Sequence, residues 1–223
     1  GAGQPSSRLM TRVLRPELLD SLPSDHPDAV HSRRDLRIIN RVMGNTAWFV
    51  RVLPPLLRPG ERVLELGAGT GELARRLGER GVAVDGLDRC PPPDDWPAER
   101  AWHVADLRAF DGYGAYAAVI GNLIFHHLTD DELAELGARL RRTTRMILVS
   151  EPTRSPFAQR MFSWFGPCFG ANRVTRHDAH VSIAAGFLGD ELPRSLGLTR
   201  DAWDLRCTTT MLGACRMVAQ RRA

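Results

Sequence analysis

Lysine is absent from this chain: all 30 basic residues are arginine, set against 26 acids for a formal net charge of +4. The arginines are dispersed, with no run longer than two. A phosphate-binding footprint needs clustered cations rather than a positive sum, so nucleic acid is not an expected partner. Exclusive use of arginine is instead the mark of codon bias in a GC-rich genome. Cysteine is scarce, with four scattered residues (Cys90, Cys168, Cys207, Cys215) and no C-x-x-C spacing. That pattern argues against a disulfide framework or a zinc knuckle and suits a reducing cytoplasm. No apolar run approaches about 18 residues, and no basic stretch leads into an apolar one, so neither a membrane span nor a signal peptide is indicated. Internal repeats and low-complexity tracts are missing as well.

What the chain has is a strand–helix alternation beginning near Glu61. Strands are expected at 62–66, 82–87, 101–104, 116–121 and 145–150, with helical stretches at 71–80, 107–110 and 130–142. Such alternation implies parallel strands joined by right-handed crossovers, hence an α/β, doubly wound sheet. Two further strands, 202–209 and 213–220, close as a hairpin around Met211-Leu-Gly213. Ahead of the sheet, residues 1–29 carry Pro5, Pro16, Pro23 and Pro27 among polar residues and read as an irregular arm. From Ala29 to about Leu57 the pattern turns helical, Leu36, Ile39 and Met43 marking one face and Arg33, Arg37 and Arg41 another, with a break at Gly44-Asn45. Residues 152–195 interrupt the alternation with an aromatic segment (Phe157, Met161, Phe162, Trp164, Phe165, Phe169), expected to form a helical insertion over a ligand site.

The most informative stretch is 63–71, Val-Leu-Glu-Leu-Gly-Ala-Gly-Thr-Gly. A short apolar strand carrying Glu65 runs into Gly67, Ala68, Gly69 and Gly71, and Glu72-Leu-Ala-Arg-Arg-Leu77 opens a helix. The glycines remove Cβ atoms where a ligand lies against the backbone, and the helix N-terminus offers free N–H groups. A dinucleotide fingerprint wants Gly or Ala where bulky Glu72 stands, which disfavours a nicotinamide-binding Rossmann domain. The carboxylate of Glu65 just before the first glycine suits a ligand bearing an ammonium group.

That combination resembles the class I S-adenosylmethionine (SAM)-dependent methyltransferases. The resemblance implies a seven-stranded, mostly parallel, Rossmann-like sheet, with residues 1–58 as arm and helical lid and 59–223 as the SAM-binding domain. Ligands of such sheets sit beyond the carboxyl ends of the strands. Asp88, at the tip of the second strand beside Arg89, is placed to accept both ribose hydroxyls. Asp106, followed by Leu107, is placed to accept from the adenine amine, or equally to cap a helix starting at Leu107. Gly121-Asn122 ends the fourth strand beside the methionine part, and one of Arg33, Arg37 and Arg41 is a candidate for its carboxylate, Arg37 above all; the alternative for these arginines is a solvated helix face.

The chemistry is expected after the fourth strand, in Asn122-Leu-Ile-Phe-His126-His127-Leu128. Methyl transfer is an in-line displacement that needs alignment and, for a hydroxyl acceptor, a base. His126 and His127 are candidates for that base, or for core histidines bonded to backbone. A second pair, His177 beside Asp178, reads as a base with an orienting carboxylate or as a solvated loop whose Asp178 caps a helix. His177-x-x-His180 lacks a third ligand at a fixed spacing, so no metal is expected. Arg33-Arg-Asp-Leu-Arg-Ile-Ile-Asn-Arg41 through Trp48, Asn122 to Leu128, and Arg173-Val-Thr-Arg-His-Asp178 with Ser182 together resemble bacterial small-molecule methyltransferases associated with type III polyketide synthases. That likeness implies a phenol, quinol or polyketide acceptor in secondary metabolism; a cytoplasmic enzyme is expected from the cysteines, with a homodimer as a candidate assembly. O-methylation leads; C-methylation of an electron-rich ring, a protein methyltransferase and a non-catalytic SAM-binding partner remain open.

Overall fold

The computed structural model describes residues 11–23, 25–165 and 170–222, with backbone alone at 20 and over 161–165. Cys168 and Phe169, and the side chains of Met161, Phe162, Trp164 and Phe165, lie outside the described set. The strands are β1 Arg62–Leu66, β2 Ala83–Asp88, β3 Trp102–Val104, β4 Ala118–Asn122, β5 Met146–Pro152, β6 Trp203–Thr209 and β7 Ala214–Arg221. They form one seven-stranded sheet in the order β3-β2-β1-β4-β5-β7-β6. The first five pair in parallel, and β7 slots antiparallel between β5 and β6. This is the class I methyltransferase topology expected above.

The helices are α1 Pro27–Met43, α2 Asn45–Val52, α3 Glu72–Gly78, α4 Asp130–Thr143, α5 Pro156–Phe165, α6 Arg173–Ala184 and α7 Glu191–Ser195. Both faces of the sheet are covered, which is why its central strands are near-continuous apolar runs. Leu64, Leu66 and Val149 pack with Leu133, Leu136 and Leu140 of α4 on one side. Val63, Val84 and Leu148 pack with Phe49 of α2 and Leu73 and Leu77 of α3 on the other. Helix α4 opens on a capping box, Thr129 and Glu132 each bonding the other's backbone N–H, and carries three acids in its first turn against Arg141 and Arg142 in its last. No helix among the described residues is long and apolar enough to cross a membrane.

One local expectation is corrected. No helix forms at 107–110: the Asp106 carboxylate turns back onto the Arg108 amide at 2.9 Å, and a 3-10 turn follows at Gly112–Ala115. The Gly44 break is present in the left-handed conformation, and Leu36, Ile39 and Met43 are half-buried where Arg37 and Arg41 are exposed. The buried residues of α1 are Ala29, Ser32 and Asp35. They face α6, where the Thr175 hydroxyl donates to Asp35 at 2.8 Å, so small polar residues make the helix contact. The insertion is helical, as α5 and α6, and reaches the ligand cavity through Val181 and Ala185; Phe157 is exposed, and the other aromatic side chains of the segment lie outside the described set.

Candidate active site

Strand order reverses between β1 and β4, and the crevice at a reversal is where an open parallel sheet takes ligands. Beyond β1 the glycine turn docks on β2: the amides of Gly67 and Ala68 donate to the Leu87 carbonyl at 2.8 and 3.3 Å. Gly67 and Gly69 have φ of +63° and +54°, a region side chains rarely tolerate. A Cβ on Gly67 would stand 2.8 Å from Ile124, whereas one on Gly69 would meet nothing nearer than 3.9 Å. The turn is therefore pressed against the β4 loop at one glycine and open at the other. Asp88 at the tip of β2 accepts from the Gly69 and Cys90 amides, both at 2.8 Å.

A cavity of about 530 Å³ opens at this edge. One wall is Gly67, Leu87, Asp88, Arg89, Asp106 and Leu107; the other is Ile124, His126, His127 and Leu128, with Val181 of α6 and Ala185 at its C-cap. The arm segment Leu14–Glu17 completes it. Asp106 is gripped by Arg108, itself paired with Glu132 at 2.6 Å, and this grip lowers the Asp106 pKa to about 2. Gly67, Asp88, Arg89, Asp106 and Leu107 of the expected cofactor set thus share one wall, while Ala68, Gly69 and Gly71 complete the turn behind it. Arg37 is exposed on α1 and outside the lining, the solvated-face alternative. Asn122 lies behind the wall, donating to Asn40 of α1 at 3.2 Å, and its buried Oδ1 has no hydrogen-bond donor.

Glu65 sits beneath the turn rather than in the lining. Its carboxyl group accepts from the Ala74 amide, one of the orphan donors at the start of α3, at 3.1 Å. Burial, with Asp88 nearby, pushes its pKa up to about 8, so it is a neutral acid at pH 7. The consequence for stability has a definite sign. Between its ordinary value of 4.5 and about 8 the folded protein holds a proton that the unfolded chain releases, so stability falls as pH rises across that window. Glu65→Gln should therefore gain on the parent by a few kcal/mol from pH 4.5 to 8, on the order of one per unit, and level off above. Urea melts of both proteins at several pH values check this; a pH-independent difference rejects it.

The histidine turn after β4 is held from below by Glu151, a residue with no counterpart among the sequence candidates. Its fully buried carboxylate accepts from the amides of Ile124 (2.9 Å), Phe125 (2.8 Å) and His126 (3.3 Å) and contacts His126 Nδ1 at 2.6 Å. Just before it, Leu123 is the sole described non-glycine residue with positive φ, at 58°. His126 Nε2 faces Glu17 of the arm at 3.5 Å, and His127 Nε2 lies 4.0 Å from the same oxygen. Burial disfavours the His126 cation, but Glu151 and Glu17 outweigh it and push its pKa up to about 9. Burial likewise acts to raise Glu17, yet both histidines and the Ser182 hydroxyl hold it below its ordinary value. Among the described residues Glu17, His126 and His127 are the one trio of potential metal ligands, their donor atoms within 4.8 Å of one another.

His177 and Asp178 are not part of this cluster. His177 is exposed and outside the lining; its Nδ1 lies 3.0 Å from Asp178. Asp178 is buried, and its two oxygens accept from the arm amides of Leu18 and Leu19 at 2.7 and 2.9 Å. Arg12 pins the other end of the arm, donating to the carbonyls of His126, Leu128 and Ala185 and stacking 4.7 Å over Phe187. Asp178 is thus an anchor for the arm. Asp178→Ala leaves two amides without a charged acceptor, and the arm should open about 10- to 100-fold more often. Limited trypsin cleavage at Arg12 reads this out, and an unchanged rate rejects the anchor. Glu151 had a visible signal, an acid closing the buried run Met-Ile-Leu-Val-Ser; Glu17, in an irregular arm, had none.

The profile of the family described as "Methyltransferase domain" matches residues 24–183, from the end of the arm through α6. The chain belongs to this methyltransferase family. An "Uncharacterized methyltransferase" of Anoxybacillus flavithermus is 32% identical over 83 residues, 35% of this chain. The match spans only 39% of that relative's length. Among solved structures, the fold is similar to the plantazolicin methyltransferase BpumL in complex with a monoazolic desmethylPZN analogue and SAH, at 11% identity over 92% of both chains, TM-score 0.68. It is also similar to the pyocyanin biosynthetic protein PhzM, at 18% identity over 89% of this chain and 60% of that one, TM-score 0.59. At such identities these neighbours speak for the methyltransferase fold alone.

Proposed function

We propose that this methyltransferase moves a methyl group from SAM to a hydroxyl of a small aromatic or polyketide-like acceptor. The single observation that carries the reading is one cavity with the glycine turn, Asp88 and Asp106 on one wall and His126 and His127 on the other. The residues fit the donor. The space over Gly69 takes a ligand against the backbone, Asp88 offers a carboxylate to two hydroxyls, and the donor-less Oδ1 of Asn122 suits an ammonium group. SAM supplies an electrophilic methyl on a sulfonium, and SAH, its demethylated form, is what the BpumL complex contains. Glu65 supports the turn from beneath, its proton exchangeable for the charge of a bound ammonium.

On the acceptor side, His127 is the group to take the hydroxyl proton, since it lines the cavity and is partly open to solvent. His126, held as a cation by two carboxylates, has no lone pair to offer and instead favours negative charge on the acceptor oxygen. The roof formed by Leu14–Glu17 and α6 supports a small acceptor over a protein chain, which would want an open groove. Labelled SAM presented with phenols and resorcinols, followed by mass spectrometry, tests the reading. Methyl on oxygen is the expected result. Methyl on ring carbon would move the assignment to C-methylation, and SAM binding without transfer to any small aromatic would reject it.

A further inference from the structure

We infer that Glu17, carried by the N-terminal arm, is the third point of a pocket for the acceptor's hydroxyl oxygen, together with His126 and His127. The inference rests on the acceptor reading above. Three polar atoms from two stretches far apart in the chain, Glu17 Oε1 and the Nε2 atoms of the adjacent His126 and His127, converge at 3.5 and 4.0 Å, with no pair in the trio beyond 4.8 Å. The gaps are long for direct charge-assisted bonds, which run to about 2.7–2.9 Å. They suit an oxygen atom off the plane of the three, within hydrogen-bond reach of each, about 2.7–3.0 Å from the carboxylate oxygen and the two ring nitrogens.

A hydroxyl fits this point in one sense only. The cationic His126 donates to its oxygen, and the hydroxyl hydrogen is shared toward Glu17 and His127. When the oxygen–methyl bond forms and the carbon–sulfur bond breaks, the hydroxyl proton passes to His127, whose new charge faces Glu17. The proton leaves through the partly exposed His127 ring. Glu17 is built into place: its carboxylate accepts from Ser182 of α6, and the arm that carries it is anchored on both sides, at Arg12 and at Asp178. Among the described residues, the charged groups that line the cavity with the two histidines are Glu17 and Arg15 of the arm and Asp88, Arg89, Asp106 and Arg108 of the opposite wall, with Glu151 behind His126.

In such a pocket the Glu17 carboxylate opposes the ionised phenolate that the His126 cation favours, and so holds the hydroxyl's proton against that cation. The test is the binding of 4-nitrophenol, whose neutral and ionised forms differ in colour, to the SAH-loaded parent and to Glu17→Gln. The variant should lower the apparent pKa of the bound phenol by about one unit or more, since a like charge is removed. Ser182→Ala, which loosens Glu17, should move it part of the way. In turnover, Glu17→Gln should cost roughly 100-fold or more with weakly acidic phenols and little with nitrophenols, at unchanged SAH affinity. An equal loss on all phenols makes Glu17 merely structural and overturns the pocket. So does an unchanged bound-phenol pKa. A divalent ion copurifying with the chain, needed for activity and lost in Glu17→Gln, assigns the trio to a metal and also overturns it. If no phenol binds the parent, the acceptor reading falls and the pocket with it.

Discussion

Glu151→Ala is expected to cost on the order of 3–5 kcal/mol of stability, because a buried charge that holds several partners leaves all of them unpaired. The carboxylate is fully buried and collects three successive amides and the His126 ring. Those amides belong to the turn that follows Leu123, whose φ of 58° is strained for a leucine. Strain of that kind persists only where the surroundings over-determine it. Without Glu151 the turn has no reason to keep Leu123 left-handed, and both histidines lose their placement. Urea denaturation should show a large fall in midpoint, and labelled-SAM transfer should disappear even where the variant remains folded. A loss below about 1 kcal/mol would mean that the turn is held by something else.

Asp88→Ala should weaken SAM binding by roughly 10²- to 10⁴-fold. The carboxylate offers two charge-assisted hydrogen bonds to the ribose, each of order 1.5–3 kcal/mol. In the free protein it spends the same oxygens on the Gly69 and Cys90 amides, so the variant also loosens the glycine turn. Asp106→Ala is the internal comparison. Asp106 is already engaged by Arg108 and partly exposed, so its removal should cost SAM affinity far less. Calorimetric titration of the three proteins separates them. Equal affinity of parent and Asp88→Ala would place the ribose away from β2.

The sheet was legible because its central strands are buried on both faces and so read as apolar runs punctuated by glycine and proline. Ala118–Ile120 and Met146–Val149 are examples, as is Val63–Leu66 around its buried Glu65, and the run of glycines after it marks the turn in the residues alone. Where a short polar side chain chose between two local partners, the reading failed. Asp106 bonds Arg108 backbone and side chain instead of starting a helix at Leu107. In α1 the periodicity marked the helix and its break, but the contact with α6 is a hydroxyl–carboxylate network, and hydrophobic spacing does not report such a face.

The two histidine motifs mark the boundary most sharply. His126-His127 after the fourth strand and His177-Asp178 on the insertion were both candidates for the base. The sequence by itself determined the strand order's ingredients, the glycine turn, the acids at the tips of β2 and β3, and that histidine would follow β4. Only the tertiary structure decided which histidines face the cavity, that Asp178 serves the arm, and that Glu17 and Glu151 bracket His126. The physical reason is distance along the chain. Local periodicity encodes contacts a few residues apart, whereas Ser182 reaches Glu17 across 165 positions and His126 reaches Glu151 across 25. Those pairings exist because burial of the sheet faces brings the segments together, and the hydrogen bonds then choose partners from whatever polar groups the packing leaves side by side.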